Sequence, residues 1–491
     1  MAGLPEKRDN WGSYNSIYVI TTKDGTSLAE FNSKVKGFDN GAGTESVNDA
    51  VNYQVYSTRL TAAQAAEMKK ISCVRYVWEE LDPDYDNDDD SEDERALPPF
   101  LEEPSFQRRG SGGSVSRKES ASQLKLLSWN KPGKPGGDYL ADSSLGKGTT
   151  IYVIDTGFNL AASDLASTND RKVTHYVVDN EKTLPLDSSL TDASWRKPSD
   201  ITDWGDHGTS VACVAGGLVY GVASKANLHL VKAKNAWKKP GSPLKVGRYQ
   251  LAALSDAFIH ILGHIRTNSK GKAVVNMSWG IESSQDVTNL LDMFIKNLEA
   301  LDAVPVTSAG NTGDEDDSGL EKKVPTNLGT DDNTLITVGG TKSDGDLWSK
   351  TTPKRAGKAG SITVYAQGSK VTTQNGEGVV SSDHSGTSLA SPAIAGLVAY
   401  YMGHDDFNHN FRTGRVATDV KDFVTRFAFQ RVEKVKLAKN YPKPDKVLVG
   451  YNIARGAAQQ CKVYKRDGFL TRRCELEDVT TDSPYLVDDC E

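Results

Sequence analysis

Ile151-Tyr-Val-Ile-Asp155-Thr-Gly157 is an unbroken apolar run that closes on a carboxylate, a hydroxyl and a glycine. Such a run reads as a strand buried on both faces, followed by a tight turn. Similar runs recur at Leu228 to Val231, Ala273 to Met277, Val304 to Thr307 and Thr334 to Val338, with Thr150 to Ile154 as the first of the set. Between them lie two helical patterns. Tyr249 to Arg266 carries Leu251, Leu254, Phe258, Ile261, Leu262 and Ile265 on one stripe, and Val287 to Leu298 carries Leu290, Leu291, Phe294 and Leu298. This alternation predicts an α/β fold, a mostly parallel sheet flanked by helices, with chemistry at the carboxyl ends of the strands. Asp155 falls at such an end. Taken alone, an acid there reads more readily as a turn former or helix cap.

Two further segments change that reading. Asp206-His207-Gly-Thr-Ser210 precedes the small-residue stretch Val211 to Gly217, which places an imidazole at the start of a closely packed helix, the fixed position that a general base needs. Ser385-Gly-Thr-Ser388-Leu-Ala-Ser391-Pro392 places a hydroxyl at another helix start, where backbone N–H groups favour a developing oxyanion. Each has an ordinary structural reading, a solitary structural histidine and a helix N-cap with proline in the first turn. Their order along the chain, Asp then His then Ser, is that of the subtilisin triad.

On these residues the chain resembles the subtilisin-like serine proteases, the subtilase family. Asp155-Thr-Gly157, His207-Gly-Thr209 and Gly386-Thr-Ser388-Leu-Ala-Ser-Pro392 look like its three signature blocks. Val304-Pro-Val-Thr-Ser-Ala-Gly-Asn311 resembles the strand whose terminal asparagine donates to the oxyanion. Asn276-Met-Ser-Trp-Gly280 resembles the segment that pairs with substrate, which makes Ser278, Trp279 and Gly280 substrate-binding candidates. Trp279 has the competing reading of a packed core residue. The resemblance implies a serine endopeptidase with Asp155, His207 and Ser388 as triad and Asn311 in the oxyanion hole. It departs from the usual pattern at Ser210, where a second histidine is common, and at Cys213, where a small residue is common. His384, four residues before Ser388, is a rival base that the glycine-rich surroundings of His207 disfavour. The alternative function is a catalytically silent subtilase fold used as a binding or inhibitory protein; the four matching catalytic positions argue against it.

At 491 residues the chain is too long for a single core. Residues 1–80 read as a small α+β unit of two strand-helix-strand halves, with capping boxes at Ser27 to Glu30 and Thr61 to Gln64. Strands are expected at Ile17 to Thr22, Asn52 to Ser57 and Val74 to Trp78. The resemblance makes this unit an inhibitor-like, ferredoxin-like propeptide, an intramolecular inhibitor and folding aid for a slowly pairing parallel sheet. Residues 81–120 read as an exposed linker, acidic from Asp82 to Glu94 and rich in Pro, Gly and Ser beyond. Arg108-Arg109 within it is either a plain spacer element or a processing site. Residues 121–457 form the expected catalytic domain, with an amphipathic helix at Asp419 to Val432 and a late strand at Lys446 to Ile453. Residues 458–491 are a cysteine-containing tail.

The net charge of −7 argues against a nucleic-acid or anionic-membrane binder, and no apolar stretch is long enough to span a membrane. The start of the sequence lacks an apolar signal core, although the resemblance implies an extracellular or lytic location. Of the five cysteines, Cys461, Cys474 and Cys490 sit in the tail, where one bridge is expected; Cys73 and Cys213 stand apart. The tail spacing does not suit zinc. No cofactor is expected. Structural calcium is common in the family, yet Asp314-Glu-Asp-Asp317 reads more readily as a solvated acidic loop, so no ion is assigned. Protein or peptide substrates and a monomeric state complete the expectation.

Overall fold

The computed structural model describes residues 16–35, 44–46, 55–80, 106–108, 114–118, 120–131, 133–178, 201–203, 205–238, 244–315, 317–432, 444, 446–453, 461–466 and 469–474. The acidic run at 82–94, most of the linker with Arg109, and Cys490 lie outside them.

The quoted run is the strand Thr150–Asp155, buried at every position. It lies inside a nine-stranded sheet of order 429–430, 448–449, 364–367, 336–341, 303–308, 273–277, 150–155, 227–232, 173–177. All neighbours pair in parallel except the edge strand 429–430, which runs antiparallel to 448–449. From Asp155 the chain goes to the far edge at 173–177, returns to 227–232, and then crosses to 273–277 on the other side. Thr150–Asp155 is therefore the strand at which the winding reverses, and a crevice opens there at the carboxyl ends.

Alternation along this strand sends successive side chains to opposite faces. Ile151 and Val153 enter one core with the helices Gly208–Gly216 and Thr387–Gly403. Tyr152 and Ile154 enter the other with the helices Leu251–Asn268 and Gln285–Ala300. Thr387–Gly403 has small or apolar residues on every side and is buried almost throughout, as a helix packed on the sheet and between neighbours must be.

The N-terminal unit has the chain order β-α-β-β-α-β, with antiparallel strands ordered 44–46, 55–60, 16–22, 74–79 and helices Leu28–Val35 and Ala62–Met68. Both capping serine and threonine residues act as read: Glu30 N donates to Ser27 Oγ at 3.1 Å, and Thr61 and Gln64 cap reciprocally. Val19, Val55 and Trp78 of this unit join the core around Leu251–Asn268. Glu80 then accepts the first two amides of that helix, Leu251 N at 2.6 Å and Ala252 N at 2.7 Å, so the N-terminal unit itself caps a helix of the larger domain.

Several boundaries differ from the sequence reading. The strand expected at Asn52 to Ser57 runs Val55–Leu60, with Asn52 to Gln54 outside the described residues. The strand at Thr334 to Val338 runs Ile336–Thr341. The helix expected at Asp419 begins at Val416, because the Asp302 carboxylate accepts Gly414 N and Val416 N from a distant loop, and it ends at Phe427. The late strand is only Leu448–Val449. Beyond it Asn452 N turns to Leu127 O, and Tyr451 O accepts the Tyr401 hydroxyl.

One side of the sheet carries a cluster of three histidines. His229 Nε2 meets His260 Nε2 at 2.8 Å, His229 stacks on His264 with ring centres 4.0 Å apart, and His264 Nδ1 meets Tyr152 Oη at 2.7 Å. Desolvation, helped by the neighbouring imidazoles, pulls His229 down to about 3 and His260 to about 4, and desolvation lowers His264. Two imidazoles sharing one N···N contact cannot both be protonated and keep it. The unfolded chain takes up these protons near pH 6.5 and the folded chain does not, so stability is complete above that value and falls as the pH drops toward 4. The thermal midpoint is expected to decline over this interval, and His260→Gln should flatten the decline; an unchanged slope in a scanning calorimetry series would refute the assignment.

Candidate active site

Asp155 and His207 come together at the crevice, with His207 Nδ1 2.8 Å from Asp155 Oδ1. Asp155 is wholly buried and also accepts Thr156 N at 2.8 Å; His207 is partly exposed. Two glycines permit the close packing here, Gly208 against the Asp155 turn and Gly157 against the loop before His207. A Cβ at Gly208 would lie 2.3 Å from Gly157 O and 2.9 Å from Asp155 Cβ, and Gly157, at φ +138°, has Thr202 O where its Cβ would be. The imidazole thus stands at the start of its helix, held against the strand end by residues without side chains.

Ser388 lies in the first turn of Thr387–Gly403 and is 5% exposed. A Cβ at Gly386 would lie 2.7 Å from Ser388 Oγ and 3.4 Å from Asn311 Nδ2, so the hydroxyl and the amide face the same small volume. The Asn311 amide is oriented by its own oxygen, which accepts Thr387 N at 2.8 Å and Thr387 Oγ1 at 3.0 Å and thereby turns the nitrogen toward that volume. The hairpin of strands Val371–Gln374 and Val380–His384 leads into the serine turn. It also holds the histidine helix, since Thr373 Oγ1 donates to Ser210 O at 3.1 Å. His384 lies at the end of this hairpin, paired across it with Val371.

The three substrate-segment candidates occupy different surroundings. Ser278 is buried and braces the serine helix: its hydroxyl donates to Ser388 O at 2.8 Å and meets Ser391 Oγ at 2.8 Å, while Asn276 Nδ2 donates to it. Pro392 explains why. Having no N–H, it cannot serve the carbonyl four residues earlier, and that carbonyl is Ser388 O. Trp279 is buried, donates Nε1 to Ile154 O at 2.9 Å and packs on Tyr249. Gly280 is half-buried beside Lys323.

Two residues that the sequence reading passed over sit beside the histidine. Asp203 is buried and accepts Thr156 Oγ1 at 2.7 Å, Thr209 Oγ1 at 2.6 Å and Thr209 N at 2.8 Å. Burial pushes its carboxyl above the usual range, and these hydroxyl and amide donors pull against that. Asp206, at φ +54°, accepts Gly376 N at 2.6 Å and Asn375 Nδ2 at 3.2 Å from the hairpin loop. The only sequence signal for either was an acid within four residues of His207. Cys213 is a buried free thiol, pushed up by desolvation and then by Asp164. At the acidic loop the Asp317 carboxylate pairs with Lys322 and Arg355, and among the described residues no group of three His, Cys, Asp or Glu side chains is placed to hold a metal ion.

The sequence profile of the subtilase family matches residues 146–431. The subtilisin-like protease 2 of Arthroderma otae is 29% identical over 318 residues, 62% of this chain and 64% of that protein. The subtilisin-like protease 3 of Pseudogymnoascus destructans is 31% identical over 291 residues, 59% of this chain and 60% of that protein. The chain thus spans less than two thirds of the length of these relatives. Among solved structures, the epidermin leader peptide processing serine protease of Staphylococcus aureus superposes over 91% of this chain and 100% of that one, with a TM-score of 0.56 and 16% identity, a likeness of fold.

The brace at Ser278 can be tested. Ser278→Ala leaves Ser388 O buried without that donor and should destabilise the protein by about 1–3 kcal/mol in denaturant titration. The same substitution in a Pro392→Ala background, which restores an N–H at position 392, should cost clearly less; equal costs in the two backgrounds would rule out this explanation.

Proposed function

The chain belongs to the subtilase family, and on that premise we propose that it is a serine endopeptidase that hydrolyses peptide bonds of protein or peptide substrates through an acyl-enzyme. The observations that carry the reading are the 2.8 Å contact of Asp155 with His207 and the small volume that Ser388 Oγ and Asn311 Nδ2 both face. In the proposed reaction Ser388 Oγ attacks the scissile carbonyl as His207 takes its proton. Asp155 fixes the Nδ1–H tautomer and stabilises the imidazolium, and the Asn311 amide donates to the oxyanion. His207 then protonates the leaving amine, and water repeats the sequence to free the acid. The chemistry needs no metal or cofactor. In the general case of subtilisin, loss of the asparagine donor costs about 2.7–4 kcal/mol of transition-state stabilisation.

The N-terminal unit is proposed to be an intramolecular inhibitor, making the chain a zymogen that works as a monomer. Support comes from its docking on Leu251–Asn268 through Val19, Val55, Trp78 and the Glu80 cap. Delivery to an extracellular or lytic compartment follows from the same family reading. Among the described residues no helix is long and apolar enough to cross a membrane.

A fluorophosphonate probe should label the matured protein at Ser388 and leave Ser388→Ala unlabelled, as read by peptide mapping. A well-folded wild type that resists the probe after removal of residues 1–80 would exclude the peptidase reading. Glu80→Ala removes the carboxylate cap, an interaction worth about 1 kcal/mol. Probe-reactive enzyme should then appear earlier in a maturation time course, and an unchanged time course would refute the docking role of Glu80.

A further inference from the structure

We propose that Asp203 is a positioning residue whose ionised carboxylate sets both the geometry and the proton affinity of His207. The inference rests on the peptidase reading above and adds a fourth side chain to the Asp155–His207 pair.

Two backbone N–H groups occupy one lone pair on each threonine hydroxyl and leave its proton free to point at Asp203. Thr156 Oγ1 accepts Gly208 N at 3.1 Å, so its own proton points to Asp203 Oδ1 at 2.7 Å. Thr209 Oγ1 accepts Asn159 N at 2.9 Å, so its proton points to Asp203 Oδ2 at 2.6 Å. Thr209 N donates to the same oxygen at 2.8 Å, and His207 N approaches Oδ1 at 3.4 Å. The carboxyl group therefore receives donors on both oxygens, which is the pattern of a carboxylate and not of an acid or an amide.

These bonds form two cross-braces. Gly208 reaches Thr156 and Asn159 reaches Thr209, each linking the turn after Asp155 to the start of the histidine helix, and both end on Asp203. The turn is attached rigidly to Asp155 and the helix start to His207, so the braces set the separation of the catalytic pair. Asp203 is itself held in place: Phe158 N donates to Ile201 O at 2.6 Å, and Lys232 Nζ donates to Thr202 O at 2.8 Å. The charged groups around this loop are Asp155 on its strand, Asp206 before the imidazole and Lys232 at the end of the neighbouring strand. A second buried negative charge near Asp155 adds to the field that favours the imidazolium formed during proton transfer.

The test uses matured enzyme titrated with a fluorophosphonate, a chromogenic peptide substrate and an NMR titration of isotopically labelled His207. Asp203→Asn should lower kcat/KM about a hundredfold through kcat, with KM little changed, as for a small misplacement of a catalytic group. By removing a negative charge it should also shift the His207 titration, and with it the acid limb of the pH profile, about one unit lower. Asp203→Glu keeps the charge and should leave the titration in place while kcat falls. Thr156→Val keeps the fold and the carboxylate but cuts one brace, and should lower kcat about tenfold. If Asp203→Asn does not fold, this variant and Asp203→Glu carry the test: unchanged kcat in Thr156→Val overturns the proposal. A folded Asp203→Asn that loses stability alone, with the His207 titration and kcat per titrated site unmoved, also overturns it. Wild type that never reacts with the probe would sink the peptidase reading instead, and the His207 titration would still decide the role of Asp203.

Discussion

Asp155 is an acid with no exposure to solvent, and a carboxylate removed from water is tolerable only where donors converge on it. The imidazole of His207 and the Thr156 amide both converge on Asp155 Oδ1, at 2.8 Å each. Much of the surrounding architecture serves this requirement. The reversal of strand order opens a crevice at the end of the Asp155 strand; Gly208 removes the side chain that would keep the histidine helix away, and Gly157 removes the one that would keep the Thr202–Asp203 loop away. Asp203 then ties turn and helix together from behind.

The serine half of the site is joined to this frame by indirect contacts. Pro392 removes one helix amide and thereby frees Ser388 O, which Ser278 engages from the end of the neighbouring strand. Asn311 uses its oxygen on Thr387 and so aims its nitrogen at the serine hydroxyl's side of the turn. The Val371–His384 segment touches the histidine helix at one end and delivers the serine turn at the other. Each proposed catalytic side chain is thus carried by a different element of a shared core, and none depends on an exposed loop alone.

Both faces of the central strand matter to the rest of the molecule. Ile151 and Val153 bind the two helices that carry His207 and Ser388, and Tyr152 and Ile154 bind the helices on which the N-terminal unit rests. The Glu80 cap on Leu251–Asn268 and the histidine cluster beneath the same helix place two ionisable features on one element, at its start and along its inner face. The helix joins the docking surface to the sheet that holds the site.

Local pattern marked most of the central strands, the two capping boxes and the segments containing Asp155, His207 and Ser388, because apolar runs, glycine turns and helix starts are short-range signals that a sequence carries in order. The resemblance to the subtilase family added Asn311, Ser278 and Trp279, but not their contacts. That Ser278 answers a missing amide at Pro392, that Asp302 caps a helix more than a hundred residues away in the chain, and that Asp203 rather than any other acid gathers Thr156 and Thr209, were decided by the tertiary structure. The reason is physical. A hydrogen bond between distant segments depends on sheet order and helix docking, which are set by the whole core at once and leave no periodicity in the residues that make the contact.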